Sequence, residues 1–474
     1  MSVPPAVLDA FDPERFRADG HRLIDALADQ LARWHAREGL ALPWRDPALA
    51  RQPWPGHPGE RGELVEDLLR VARGSMAVAH PHTMGHQVPP PLPAAALAEL
   101  AVALLNNGMA IADGGPAGVA IELAVIEWMC RRLGLPEGAG GVMTSGGSLG
   151  NLTALLAMRQ ARAGHDVWRE GTHAGPPLAV VVSSDAHYSI ARALRIMGWG
   201  DGGAIAAPVD ARHRMTAAAV RAALGQAGGR RVIGIVAAAG STATGAYDPL
   251  DELADVAAEH GLWLHVDAAH GGGAALSPSQ RGKLRGIERA DSVVWDAHKL
   301  MMMPALVTAV LFAREAHAYA AFAQRAAYLF AEARPEDTWW DLGQRTLECT
   351  KRLMAVEVWA CLRAHGEELF GAIVDRQHAL ARELAGLVEA APDFELALAP
   401  ESNIVCFRHV PDPGADLDAH NRALRQRALE DGRFYIAGAR LARGYFLRSA
   451  IMNPRTERRD LAALLEHLRE LCRR

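Results

Sequence analysis

Leu262-Trp263-Leu264-His265-Val266-Asp267-Ala268-Ala269-His270 is the stretch whose reading decides the fold. Residues 262–266 form a short, near-continuous apolar run, which the chain leaves on a carboxylate. Runs of this kind suit strands of a parallel sheet covered on both faces, where neither side meets water. Residues 178–182, 232–237 and 292–295 have the same form. An amphipathic stretch over 250–260, entered through Asp248-Pro249, separates two of them and reads as a helix. Alternation of this kind from about Pro81 to Arg363 predicts an open α/β sheet, whose ligands collect at the carboxyl ends of the strands. Asp267 stands at one such end and Asp296-Ala297-His298-Lys299 at another.

A third feature precedes both. Thr144-Ser145-Gly146-Gly147-Ser148-Leu149-Gly150-Asn151 leads into an apolar helical stretch. Glycines let the backbone approach a ligand, and the free N–H groups of a helix start, with serine hydroxyls beside them, make an anion site. The pattern is neither GxGxxG nor GxxxxGK[ST], so dinucleotide and P-loop readings lack their fingerprint. Taken singly, each feature has a plainer reading: a tight connection, a capping aspartate, a surface lysine. In this order they meet three demands of pyridoxal 5'-phosphate: a cup for the phosphate, an anion for the pyridinium nitrogen and a lysine for the aldehyde.

Asp12-Pro13 opens a helix, because aspartate caps free N–H groups and proline fits the first turn. Phe16, Leu23, Ile24, Leu27, Leu31 and Trp34 recur at helical spacing, an apolar stripe that needs a partner surface such as a second subunit. Residues 41–62, rich in Pro and Gly, read as a linker. A long helix is predicted over 347–365, strands at 403–407 and 445–448, and a closing helix over 458–471. The expected division is an N-terminal helical dimerisation segment (1–77), a large cofactor-binding domain (78–358) and a small C-terminal α+β domain (359–474).

A chain of 474 residues, 50% hydrophobic and 22% charged, is globular and too long for a single core. Its 50 Lys+Arg against 55 Asp+Glu are too balanced for a nucleic-acid partner. Five scattered cysteines without a CxxC pair argue against a disulfide scaffold or a cysteine zinc site, and for a reducing compartment. Neither a basic-then-apolar leader nor an apolar run of ~20 residues is visible, so a cytoplasmic protein off the membrane is expected. His80, His82 and His86 cluster, but Pro81 and Gly85 spoil the helix that a zinc pair would need, and HExxH does not occur. No metal is expected.

The chain resembles the group II pyridoxal-phosphate-dependent amino-acid decarboxylases, the family of aromatic-amino-acid, glutamate and diaminobutyrate decarboxylases. The resemblance runs from about Asp12 to the C-terminus. It rests on 144–151, on Ser184-Asp185-Ala186-His187-Tyr188-Ser189, and on 240–249, 266–272, 291–299 and 447–456. It implies an α/β protein of fold type I (aspartate-aminotransferase-like), with a mostly parallel seven-stranded sheet in the large domain. It also implies an obligate homodimer with its active site at the subunit boundary, and α-decarboxylation of an L-amino acid to the amine and CO₂.

Carried over by these motifs, Lys299 holds the cofactor as an internal aldimine, Asp267 keeps the ring nitrogen protonated, and His187 stacks on the ring. Ser145, Gly146, Gly147 and Ser148 cup the phosphate with His298 as a further contact, while Thr242 and Ala269 line the ring's rear. Residues 322–340 match a mobile loop of the aromatic and glutamate enzymes. Tyr328 falls where the aromatic enzymes have a tyrosine thought to protonate the quinonoid carbon; its plainer reading is a packing residue.

The chain departs from the family in three places. Asp296-Ala297 stands where Asn-Pro is usual, and Lys351 where arginine is common. His86-Gln87, in the segment matching the family's substrate-facing one, replaces the aromatic pair of the aromatic enzymes, which favours a polar or anionic substrate side chain. The same cofactor site admits aminotransferase, oxidative aldehyde-forming or carbon–carbon lyase chemistry, because ring binding alone does not select which Cα bond breaks. Intact Lys299, Asp267 and His187 argue against a partner-binding pseudoenzyme.

Overall fold

The computed structural model describes residues 2–49, 51–52, 54, 56–322, 338–411 and 414–473. The chain forms two compact units. The larger comprises Gln87–Ala385 with Leu396–Cys406, the smaller Met1–His86 with Gly386–Glu395 and Phe407–Arg474.

The larger unit is built on seven strands: β1 (Gly140–Thr144), β2 (Leu178–Ser183), β3 (Ala204–Ala207), β4 (Arg231–Ala238), β5 (Trp263–Asp267), β6 (Ser292–Asp296) and β7 (Thr308–Phe312). Their order is β1-β7-β6-β5-β4-β2-β3. Strands β3, β2, β4, β5 and β6 are parallel, and β7 runs antiparallel to both β6 and β1. The four apolar runs of the sequence are four of the five parallel strands, and the sheet is mostly parallel as the fold class requires.

Side chains alternate between two cores because successive strand residues point to opposite faces. Leu264, Val266, Val293 and Trp295 pack on one face with Val125 and Met129 of the helix Pro116–Leu133 and Leu253 and Val256 of Leu250–His260. Trp263, Val294 and Val236 pack on the other with Leu155 and Met158 of Gly147–Arg162 and Ile190 and Leu194 of Tyr188–Ile196. Each such side chain, fully buried, contributes ~1.5–3 kcal/mol, so both faces must stay covered for the sheet to persist.

A second sheet runs in the order β10-β11-β9-β8, with β8 at Phe394–Leu396, β9 at Ile404–His409, β10 at Ala437–Leu441 and β11 at Gly444–Ala450. The closing helix spans Arg458–Arg473. The N-terminal helix is Pro13–His35, and Asp12 caps it by accepting the Glu14 N–H at 3.1 Å. Among the described residues of 41–62 there is one short 3-10 turn, Pro47–Leu49. No described helix is long and apolar enough to cross a membrane.

The helix predicted over 347–365 begins only at Ala355 and runs to His365. The preceding residues are drawn out of helical geometry by one tertiary backbone bond and one local side-chain bond. Met109 N–H donates to the Lys351 carbonyl at 3.2 Å, and Thr346 Oγ1 donates to the Glu348 carbonyl two residues on at 2.6 Å. Lys351 Nζ reaches Glu122 and donates to the Met143 carbonyl at 2.7 Å, while Glu122 accepts the Met143 N–H at 2.9 Å. This pair, 2% and 1% exposed, therefore brackets both backbone groups of Met143, one residue before the end of β1.

Leaving one member of a buried pair uncompensated costs ~3–5 kcal/mol. Lys351→Met should lower unfolding free energy by that order in urea titrations. Adding Glu122→Gln should recover much of the loss, because the stranded charge is gone. A single variant within ~1 kcal/mol of the parent would show that the pair carries little.

Candidate active site

The parallel strands end at one edge of the sheet, and the site is assembled from those ends. β4 closes on Ala238, β5 on Asp267 and β6 on Asp296. β1, antiparallel to an antiparallel strand, also ends there, and Thr308 at the start of β7 pairs with both Thr144 and Asp296. A cleft of about 250 Å³ lies among these ends. Ser145, Gly146, Gly147, Ser148, His187, Thr242, Asp267, Ala269, His298 and Lys299 all line it.

On one side the chain turns at Gly146, whose φ of +102° is left-handed and suits only glycine. The helix Gly147–Arg162 starts there with no side chain capping it, so its first N–H groups and positive dipole end are available to an anion. A Cβ on Gly147 would lie 3.0 Å from Asp296 Oδ2 and 3.4 Å from Ala269 Cβ. Ser148 lines the cleft here, while Ser145 Oγ donates to Glu348 at 2.9 Å.

Opposite, Lys299 Nζ is 3.1 Å from Asp296 Oδ2. Thr308 Oγ1 donates to the other oxygen of this buried carboxylate at 2.6 Å. His298 Nδ1 lies 2.9 Å from the Val307 carbonyl, and its Nε2 is 3.6 Å from Asp296 Oδ2. The acid that replaces the family's usual asparagine is thus the counter-ion of the lysine.

At the end of β5, Asp267 accepts the Asn151 amide at 2.9 Å and the Ala269 N–H at 3.1 Å. His187 opens the helix Tyr188–Ile196, with Nδ1 2.8 Å from Ser189 Oγ. Burial pushes the His187 imidazolium pKa down, the nearby Asp267 charge opposes, and Lys299 adds to the lowering. The ring is therefore neutral near pH 7.

Asn151, Asp296 and His270 also line the cleft, and no role was assigned to them from sequence. Asn151 had a usable signal: it lies four residues after Gly147, on the same helical face. His270 Nε2 is 2.7 Å from Asn403 Oδ1.

Of the two expected substrate residues, Gln87 is not among those that line this cleft. Gln87 belongs to the same unit as the cleft, and His86 to the smaller unit, its ring 5.6 Å from that of Tyr435. Tyr328 lies outside the described residues. The clustered histidines engage separate partners: His82 stacks on Phe434 at 4.0 Å and points Nε2 at Asp460 (3.3 Å), while His80 Nδ1 accepts the His82 N–H (3.1 Å). Among the described residues, one His/Cys group does converge. His409 Nδ1 and His420 Nε2 are 2.9 Å apart, with Cys472 Sγ 3.8 Å from each.

The cleft fits pyridoxal phosphate by its donor set: an uncapped helix start, an anchored carboxylate and an amine on three sides of one space. Gly147 leaves open the room that a Cβ would fill. Fold and cleft together define a pyridoxal-phosphate-dependent enzyme of fold type I.

Comparison with known proteins narrows the class. The pyridoxal-dependent decarboxylase conserved domain matches residues 50–410. The L-2,4-diaminobutyrate decarboxylase of Acinetobacter baumannii is 30% identical over 423 residues, 86% of this chain and 83% of the relative. Human cysteine sulfinic acid decarboxylase is 29% identical over 446 residues, 90% of each chain. The crystal structure of mouse CSAD superposes with a TM-score of 0.90 at 28% identity, covering 97% of this chain and 99% of that one. The chain belongs to the pyridoxal-dependent decarboxylase family, and its reaction is the α-decarboxylation of an L-amino acid.

Borohydride reduction of the holoenzyme followed by peptide mass mapping should find the pyridoxyl group on Lys299. The informative competitor is Lys283, half-buried and brought down to about 8 chiefly by burial, hence more nucleophilic than an ordinary lysine. Label on Lys283 or Lys351 would displace Lys299 from its role.

Proposed function

We propose that the protein decarboxylates a small L-amino acid with a polar or charged side chain, as a cytoplasmic homodimer. The observation that carries the catalytic reading is the meeting of Lys299, Asp267 and the uncapped helix start on three sides of one cleft. The substrate reading is supported by His86-Gln87 in place of an aromatic pair, and by relatives named for diaminobutyrate and cysteine sulfinate at 29–30% identity. Dimer formation is supported by Phe11, Phe16 and Ile24, which are 84%, 54% and 43% exposed on the N-terminal segment. The five cysteines are scattered in sequence with no CxxC pair, which supports a reducing compartment.

When bound, pyridoxal phosphate supplies a conjugated cationic ring that accepts the electron pair left at Cα as CO₂ departs. Lys299 would hold the aldehyde carbon, and Asp296, 3.1 Å from Nζ, would take the charge of its ammonium whenever the amine is released. Asp267 would keep a proton on the pyridine nitrogen by offering a fixed anion, which strengthens the electron sink. The helix start at Gly147 and Ser148 would hold the phosphate, with Gly146, Ser145 and His298 completing the cup. His187, Thr242 and Ala269 would contact the ring. The proton returned to the substrate Cα is assigned in this reading to the Tyr328 hydroxyl.

CO₂ release from a panel of L-amino acids should be faster with diaminobutyrate, cysteine sulfinate, aspartate or glutamate than with tryptophan or dopa; the reverse order refutes the substrate reading. With the best substrate, Asp267→Asn should keep the cofactor but lose at least about tenfold in turnover, ~1.4 kcal/mol of barrier.

Tyr328→Phe should slow amine formation by a similar factor, with oxygen diverting product to the aldehyde, ammonia and peroxide. Amine formation at the parent rate would assign the proton to another group.

A further inference from the structure

Behind the cleft, the helix-covered face of β5 carries a polar row through an apolar core. Trp263, His265 and Asp267 are two residues apart and so point the same way, toward Asn151 on the helix Gly147–Arg162. Trp263, His265, Asn151 and the adjoining Ser292 and Ser189 are at most 2% exposed. Buried polar groups of this kind must be matched donor to acceptor.

The matching has only one direction. Asp267, as a carboxylate, can only accept, so the Asn151 group 2.9 Å from it is the amide nitrogen. Asn151 Oδ1 therefore faces His265 Nε2 at 3.0 Å, and that nitrogen must carry hydrogen. Burial drives the His265 pKa down to about 4, so the ring is neutral and holds a single hydrogen. His265 Nδ1 is then an acceptor, and Ser292 Oγ donates to it at 2.9 Å. Ser292 Oγ, its own hydrogen used, accepts from the Trp263 indole N–H at 2.8 Å. An indole only donates, which closes the far end of the row.

The second hydrogen of the same amide opens a branch. Asn151 Nδ2 donates to Ser189 Oγ at 3.0 Å, and Ser189 Oγ lies 2.8 Å from His187 Nδ1. The Ser189 backbone N–H points at the same nitrogen from 3.4 Å. His187 Nδ1 thus faces two donors, and a neutral ring there carries its hydrogen on Nε2.

We propose that Asn151 is a positioning residue. The two hydrogens of one amide set the Asp267 carboxylate and the His187 tautomer together, and Trp263, Ser292 and His265 serve to hold that amide in one orientation. The consequence for the reaction rests on the reading that Asp267 and His187 face the ring.

The test reads the imidazole nitrogens directly. With ¹⁵N-labelled histidine in the cofactor-free protein, both His187 and His265 should show a protonated Nε2 and an unprotonated Nδ1 between about pH 6 and 8. Asn151→Leu and His265→Leu should each convert His187 to a mixture of tautomers and weaken cofactor binding, followed by absorbance titration, at least about tenfold. His265→Gln, which can accept from Ser292 and donate to Asn151, should restore the single tautomer and bring affinity within about threefold of the parent.

Protonated Nδ1 on either histidine of the parent protein overturns the proposal without recourse to any variant. So does an unchanged His187 spectrum in both leucine variants. A tautomer change with unaltered cofactor affinity upholds the hydrogen-bond row and instead refutes the assignment of Asp267 and His187 to the ring.

Discussion

A buried carboxylate at the end of a central strand sets the terms for the rest of this cleft. Asp296 is 2% exposed, and a charge so placed must be paired or it destabilises the fold. Its pairing draws in two separate pieces of chain, Lys299 from the turn that follows and Thr308 from the antiparallel strand beside it, while the backbone at Gly147 comes so near that a Cβ there would lie 3.0 Å from Oδ2. An amide at this position could accept the threonine bond but could not balance an ammonium. The same residue therefore holds the amine in register with the helix start that faces it.

A similar economy governs the cleft end of β1. Where a guanidinium would spread its donors over a plane, Lys351 offers a single ammonium, and it is used on the Glu122 carboxylate and the Met143 carbonyl. Because Glu122 takes the Met143 N–H as well, the last turn of backbone before the phosphate-side glycines is held from both sides by one ion pair. Burial lowers the Lys351 pKa, and the Glu122 charge works against that lowering.

Much of this was legible in the residues, and the exceptions have physical causes. The central strands read clearly because both of their faces are buried, which forces near-continuous apolar runs. β3 did not, since it is four residues long, three of them alanine, with one fully buried, and β1 did not, since Gly140 and Gly141 carry no side chain to signal it. The helix expected over 347–365 starts eight residues late because the tertiary bonds of Lys351 override local propensity. The ten residues expected to hold the cofactor line one cleft because the strand ends of a parallel sheet gather at one edge. Asn151 was quoted but not singled out: an amide's role is set by which groups surround it, and one sequence lists residue types without saying which strand lies next to which. His265 is the instructive case, a polar residue two places from Asp267 in a buried strand, whose period alone placed both on one face.

Strand β7 runs against both of its neighbours, so the chain must come back to the cleft directly after Lys299 in order to begin it. The return is tightly laced: His298 N–H bonds to the Val307 carbonyl at 3.2 Å, Met303 N–H to Ala297 at 3.2 Å, and Met302 N–H to Lys299 itself at 3.0 Å. The backbone that bears the lysine is thereby closed into a small ring of main chain with almost no hinge in it. For the role proposed for Lys299, giving up one carbon and later recapturing it, the reach is then left to the four methylenes of the side chain and their torsions. Motion at this point of the cleft is a matter of side-chain entropy, while the main chain on either side of the lysine is laced in place.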